Sequence, residues 1–128
     1  MRFLLIGIGL VLVGAAQAAE PPSPVLGAGN ATCSLWSSVR REGDPSNEAA
    51  VISWIHGYLT AINEWVTATT GRPENIVAST PATAAAVDAD LWAFIDNYCA
   101  ENPLASLHAA ATALTDALLS REGVTLPH

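Results

Sequence analysis

Cysteine, histidine and carboxylate side chains carry most protein chemistry, and in this chain of 128 residues they are few and scattered. Cys33 and Cys99 belong to no C-x-x-C motif and have no histidine at ligand spacing, which speaks against a redox-active pair or a zinc site. Of the three histidines, His128 is terminal, His108 stands alone near the start of a helical pattern, and His56 lies just outside an apolar arc. None is four residues from another, so neither a zinc helix nor a base beside a nucleophile is indicated. Asp88, Asp90, Asp96 and Glu101 suggest paired carboxylates at first sight. The first two fall where helix caps are expected and the other two are expected to face solvent. The alternating acids and central glycine of a calcium loop are missing, as are a phosphate-binding glycine loop and a lipase elbow. The sequence therefore predicts no catalytic, cofactor-binding or metal-binding residue, and no enzyme.

What must position these residues is set first by an export signal. Arg2 precedes an apolar run from Phe3 to Val13, followed by the small-residue site Ala16-Gln17-Ala18. Eleven helical residues span about 16 Å, half of a bilayer's hydrocarbon core, so residues 1–18 read as a cleaved signal peptide and not as a membrane anchor. Its removal takes away one of five arginines and moves the formal charge from −7 to −8. In a short exported chain an even cysteine count reads as a disulfide. Pairing Cys33 with Cys99 closes a loop of about 66 residues, which the chain-entropy model values at about 4 kcal/mol.

The remaining pattern is helical. Residues 19–29, with three prolines and two glycines, read as a flexible lead-in. A first helix begins at Cys33, capped by Asn30 or Thr32, carries Trp36 and Val39, and stops at Gly43. Asn30-Ala31-Thr32 also matches a glycosylation sequon, but the bacterial character of the signal favours capping. The central helix is capped by Asp44 or Ser46, has Pro45 in its first turn and ends at Gly71. Its residues Val51, Trp54, Ile55, Tyr58, Leu59, Ile62, Trp65 and Val66 occupy an arc of about 140°, wide enough to meet two neighbours. Gly57 lies off that arc and suggests a close approach by another backbone.

Residues 71–89 read mainly as loop, with one short helical turn after Thr80-Pro81. A third helix starts from a cap at Asp88 or Asp90, presents Leu91, Phe94, Ile95, Tyr98 and Cys99 on one face, and is ended by Pro103. The fourth runs from a cap near Ser106 to Arg121, with Leu107, Ala111, Leu114 and Leu118 on one stripe and Leu104 just before it. No alternating run suggests a strand. The predicted class is an all-α domain of four helices over residues 30–123 with one disulfide, followed by a tail at 124–128. Trp36, Trp54, Tyr58, Trp65, Trp92, Phe94 and Tyr98, at helical spacing, are expected in its core or at an interface.

Composition narrows the partners. Without a single lysine, and with five arginines against twelve acids, the chain lacks the clustered cations that bind nucleic acid or anionic lipid. The expected partners are proteins.

Two stretches, "SWIHGYL" in the central helix and "LWAFIDNYCAENPL" at the end of the third, together with "ATCSLW" around Cys33, resemble the HdeA/HdeB family of small periplasmic acid-stress proteins over about residues 30–120. The resemblance implies a periplasmic helical domain closed by one disulfide between Cys33 and Cys99, a homodimer near neutral pH, and ATP-independent holdase action in acid on unfolded proteins. A similar helical layout, G-Y element and cysteines also mark the Tai family of secretion-system immunity proteins, which bind and block a periplasmic toxin. A periplasmic interaction protein of unassigned role is the third expectation.

Overall fold

The computed structural model describes residues 24–73, 75–77 and 84–124. The expected signal peptide at 1–18, the expected turn after Thr80-Pro81, His128 and most of the tail lie outside the described residues. Four helices follow in order: α1 (Cys33–Glu42), α2 (Pro45–Thr70), α3 (Ala84–Glu101) and α4 (Leu107–Arg121). They form one all-α domain with a disulfide between Cys33 and Cys99.

Local chemistry explains most of the boundaries. The Thr32 hydroxyl accepts from the Leu35 N–H at 3.3 Å and caps α1, while the Asn30 side chain donates instead to the Val25 carbonyl. Asp44 caps α2 by accepting from the N–H groups of Ser46 and Asn47, with Pro45 in the first turn where no N–H is required. Gly43 and Gly71 end α1 and α2 at φ of 64° and 70°, the left-handed conformation that costs other residues a Cβ clash. The Ser106 hydroxyl accepts from the Ala109 N–H and caps α4.

Three sequence expectations need correction here. Helix α3 starts at Ala84, ahead of both proposed aspartate caps, so residues 84–89 are helix and not loop. Three consecutive alanines, the strongest helix formers, carry the helix upstream of those aspartates. The lead-in is shorter than expected, because Gly27–Asn30 form a 3-10 turn packed on α2 and α4 with Gly29 buried. Gly57 has no atom within 4 Å of where its Cβ would stand, so no backbone approaches it. The glycine that does allow a close approach is Gly29, where an added Cβ would come within 2.1 Å of the Trp54 ring.

The core is built from one stripe of each helix. Cys33 and Trp36 of α1, Val51, Ile55, Leu59 and Val66 of α2, Leu91, Trp92, Ile95 and Cys99 of α3, and Leu107, Ala110, Leu114, Leu118 and Leu119 of α4 are buried together. Helix α4 packs against all three others, and α1 packs against α2 and α3. Among the described residues α2 and α3 make no close backbone approach and meet through long side chains. Buried Thr115 on α4 donates its hydroxyl proton to the Ala111 carbonyl, which removes the cost of an unpaired polar group in the core.

At one corner the starts of α1 and α4 pair as a short antiparallel bridge between Thr32 and Ser106. The Cys33 N–H donates to the Ala105 carbonyl and the Leu107 N–H to the Ala31 carbonyl, both at 2.8 Å, and the Ser34 N–H donates to the Pro103 carbonyl at 3.0 Å. These are helix-start donors that have no partner within their own helix. The extended backbone that an N-cap residue needs also makes it available to the bridge, so Thr32 and Ser106 each serve both purposes.

Candidate functional site

Cys33 and Cys99 are both buried and bonded to one another, with Cα atoms 4.8 Å apart. They join α1 to α3 beside the Thr32–Ser106 bridge, a structural position away from solvent. Among the described residues no three His, Cys, Asp or Glu side chains come together as a metal-binding set. No helix of the described residues is long and apolar enough to cross a membrane.

The densest polar cluster joins three helices through one guanidinium. Arg40 near the end of α1 donates from Nε and Nη2 to the two carboxylate oxygens of Asp96 on α3, at 3.3 and 3.1 Å. Its Nη1 donates to Glu48 in the first turn of α2 at 2.7 Å. Behind them the Trp36 indole Nε1 donates to Asp96 at 2.8 Å, and the Arg40 guanidinium lies 5.5 Å from the centre of the Trp36 ring. Hydrogen bonding to Asp96, and next to Glu48, raises the Arg40 pKa above its ordinary value. Asp96 keeps 40% of its side chain exposed, and its carboxylate also accepts three hydrogen bonds and holds the rim of a shallow cleft with Ser37 and Arg41. The 56 residues between Arg40 and Asp96 leave no local pattern from which the pair could be read.

A second polar contact joins α2 to α3. His56 Nε2 lies 3.0 Å from an Asp88 carboxylate oxygen, and its ring centre is 5.3 Å from that of Trp92. Asp88 is thus a helix-face residue and not a cap, and His56, just outside the apolar arc, is exposed.

The expected aromatic residues divide among three surroundings. Trp36 and Trp92 are buried with ring centres 6.0 Å apart. Trp54 and Tyr58 stack at 5.6 Å, with the His108 ring edge-on at 6.3 and 5.5 Å respectively, so His108 is packed and not isolated. Trp54 Nε1 donates to the Leu26 carbonyl at 2.8 Å, tying the 3-10 turn to α2, and Tyr58 shares a 3.3 Å hydrogen bond with Thr112 of α4. With residues 24–26 these rings line a neutral cleft of about 320 Å³. Phe94 and Tyr98 are half-buried against the core. Trp65 is 43% exposed and lies outside the core. It shares one edge of the α2 arc with Trp54 but lies three turns, about 16 Å, further along, away from the turn that covers Trp54.

One cluster has no counterpart in the sequence reading. Ile76, next to Val77 and after Gly71 and Pro73, is 1% exposed and part of the core. Its N–H donates to the Asn63 side-chain oxygen on α2 at 2.9 Å, and its carbonyl accepts from Arg121 Nη2 on α4 at 3.2 Å.

The fold and these clusters define a disulfide-closed helical domain with carboxylate-dependent contacts between helices and aromatic or apolar surfaces beside them. Comparison with protein-family models, with curated proteins and with solved structures returns no match.

Proposed function

We propose that this chain is an exported, acid-responsive protein-binding domain, a holdase of the kind the HdeA/HdeB resemblance implies. The observation that carries the reading is how α2 is held. The charged contacts that tie it to α1 and α3, Glu48 with Arg40 and His56 with Asp88, each need an ionised carboxylate. Carboxylic acids as a class are neutral at about pH 2. Arg40 stays cationic there, because its guanidinium pKa is raised above an already high ordinary value and the charge is lost only in strong alkali. The acid response therefore comes from the anionic side of each pair.

Each exposed pair is worth about 0–1 kcal/mol, so the pairs direct the opening more than they power it. The larger force is the charge of the whole chain. Neutralising twelve acids while four arginines and three histidines stay cationic takes the processed chain from −8 to about +7. Like-charge repulsion then opposes compaction, and the crosslinked helices stay joined while α2 loosens and bares the apolar residues it covers.

The test is an acid titration of the processed protein that follows size, near-UV circular dichroism and aggregation of an acid-denatured client together. Loss of tertiary signal near pH 2 to 3 with suppression of client aggregation is expected. Retained tertiary structure, or no suppression, contradicts the reading. A second reading, immunity-type binding at neutral pH, is favoured by Leu35 and Leu104, 50% and 88% exposed on either side of the Ser34–Pro103 contact. It requires a stoichiometric complex with a basic exported protein at pH 7.

A further inference from the structure

We propose that the cleft beside Trp54, Tyr58 and His108 is a proline-recognition site, and that its occupant is the Pro21-Pro22-Ser23-Pro24 segment of the same molecule. The inference rests neither on the acid response nor on the nature of a client, and it goes beyond both.

The cleft, of about 320 Å³, is lined by Pro24, Val25 and Leu26 together with the three rings. Trp54 and Tyr58 lie 17° from parallel, and the His108 ring stands at 77° and 88° to them. Among the described residues no Asp, Glu or Arg lines it. Leu26 has extended backbone, with φ of −105° and ψ of 151°. The Trp54 indole N–H donates to the Leu26 carbonyl at 2.8 Å, and the Asn30 side chain donates to the Val25 carbonyl. Side-chain donors thus hold this extended segment by its carbonyls. A prolyl residue keeps its carbonyl and has no N–H, so a segment held in this way can be rich in proline without losing a contact. A groove lined by aromatic rings is the surface on which polyproline II segments dock.

The sequence supplies such a ligand next to the site. Pro21-Pro22-Ser23-Pro24 has the P-x-x-P spacing. At three residues and about 9 Å per turn, that spacing puts Pro21 and Pro24 on the same edge of a polyproline II helix. Pro24 already lines the cleft, so one further turn keeps Pro21 within reach of the rings. Proline fixes φ before docking, which leaves little chain entropy to lose. Tethering presents the segment at an effective concentration on the order of millimolar, enough to fill even a weak site. The class recognised is an uncharged, proline-rich extended segment, and the one nearest the cleft belongs to the chain itself. Docked there, it covers the Trp54 and Tyr58 rings.

The test is nuclear magnetic resonance of the processed chain at pH 7, with a peptide of residues 19–24 as the probe in trans. Nuclear Overhauser contacts from the Pro21 or Pro22 ring protons to the rings of Trp54, Tyr58 or His108 are expected in the unaltered protein. Pro21→Gly combined with Pro22→Gly is expected to abolish them and to shift the Tyr58 and His108 ring resonances, while the Cys33 and Leu107 amides of the corner bridge stay in place. The peptide is expected to bind this double variant about fivefold or more tightly than the unaltered chain, whose cleft is already filled. A peptide with glycine in place of both prolines is expected to lose that binding. Absence of the proline-to-ring contacts in the unaltered protein overturns the proposal, as does equal binding of the two peptides. Contacts seen only between differently labelled molecules would give the cleft to a second copy and overturn docking within one molecule. Because every reading is taken at neutral pH, failure of the acid response leaves these outcomes unchanged.

Discussion

The corner formed by α1, α3 and α4 and the helix α2 laid against it are held by different chemistry. At the corner a disulfide links α1 to α3, and backbone hydrogen bonds around Thr32 and Ser106 link the starts of α1 and α4. None of these titrates between pH 2 and neutrality. Helix α2 is held by its apolar stripe, by side-chain contacts through Glu48 and His56, by Trp54 and Tyr58, and at its far half by Ile76 and Asn63. Among the described residues the longest helix of the domain thus has neither a disulfide nor a backbone hydrogen bond to the corner, and the two-residue link Gly43-Asp44 joins it to α1. The contrast teaches where such a domain opens first: α1 and α3 lose the Asp96 contacts in acid but keep the disulfide and the backbone bonds of the corner, whereas α2 depends on carboxylates, on side-chain hydrogen bonds and on burial.

Breaking the corner should have the largest effect. Replacing both cysteines with serine is expected to cost about 4 kcal/mol, read from urea unfolding at pH 7. A loss below 1 kcal/mol would show that the corner does not rest on the crosslink. Ile76→Ala attacks the other region, with an expected loss of about 2–4 kcal/mol and amide protection lost first in the second half of α2. Uniform loss of protection would erase the contrast. Gly29→Ala pushes a methyl group into the Trp54 ring and is expected to cost about 1–3 kcal/mol, with a changed Trp near-UV signal.

Smaller changes sharpen the comparison. Arg40→Gln should destabilise by at most about 1 kcal/mol at pH 7, and the difference should vanish near pH 2, where its carboxylate partners are neutral. A difference that persists in acid would assign the effect to packing on Trp36. Gly57→Ala should stabilise by about 1 kcal/mol in thermal melts, because the position is helical, exposed and free of neighbours.

Local signals explain what the sequence discloses. The cap and proline at Asp44-Pro45 and the stop at Gly71 delimit α2 because each acts within a few residues, and Thr32 and Ser106 are legible as caps for the same reason. The cysteine pair is legible from count and export pattern alone. The start of α3 upstream of Asp88 rests on alanine propensity, which gives no positional signal of its own. The helical period that puts Trp65 on the apolar arc does not tell where along a 26-residue helix the neighbours end. Arg40 with Asp96, and Ile76 with Asn63 and Arg121, are assembled by tertiary packing across 13 to 56 residues. A single isoleucine among Pro, Asn and Val has no period by which to announce its burial.

The central claim, that α2 yields to acid before the corner does, is tested most directly by amide hydrogen exchange followed residue by residue as the pH falls from 7 to about 3 and corrected for intrinsic rates. The account predicts that Leu59, Val66 and Ile76 lose protection at least about tenfold more than Cys33 and Leu107, whose N–H groups form the corner bridge. Equal losses in both regions, or earlier loss at Cys33 and Leu107, would contradict it.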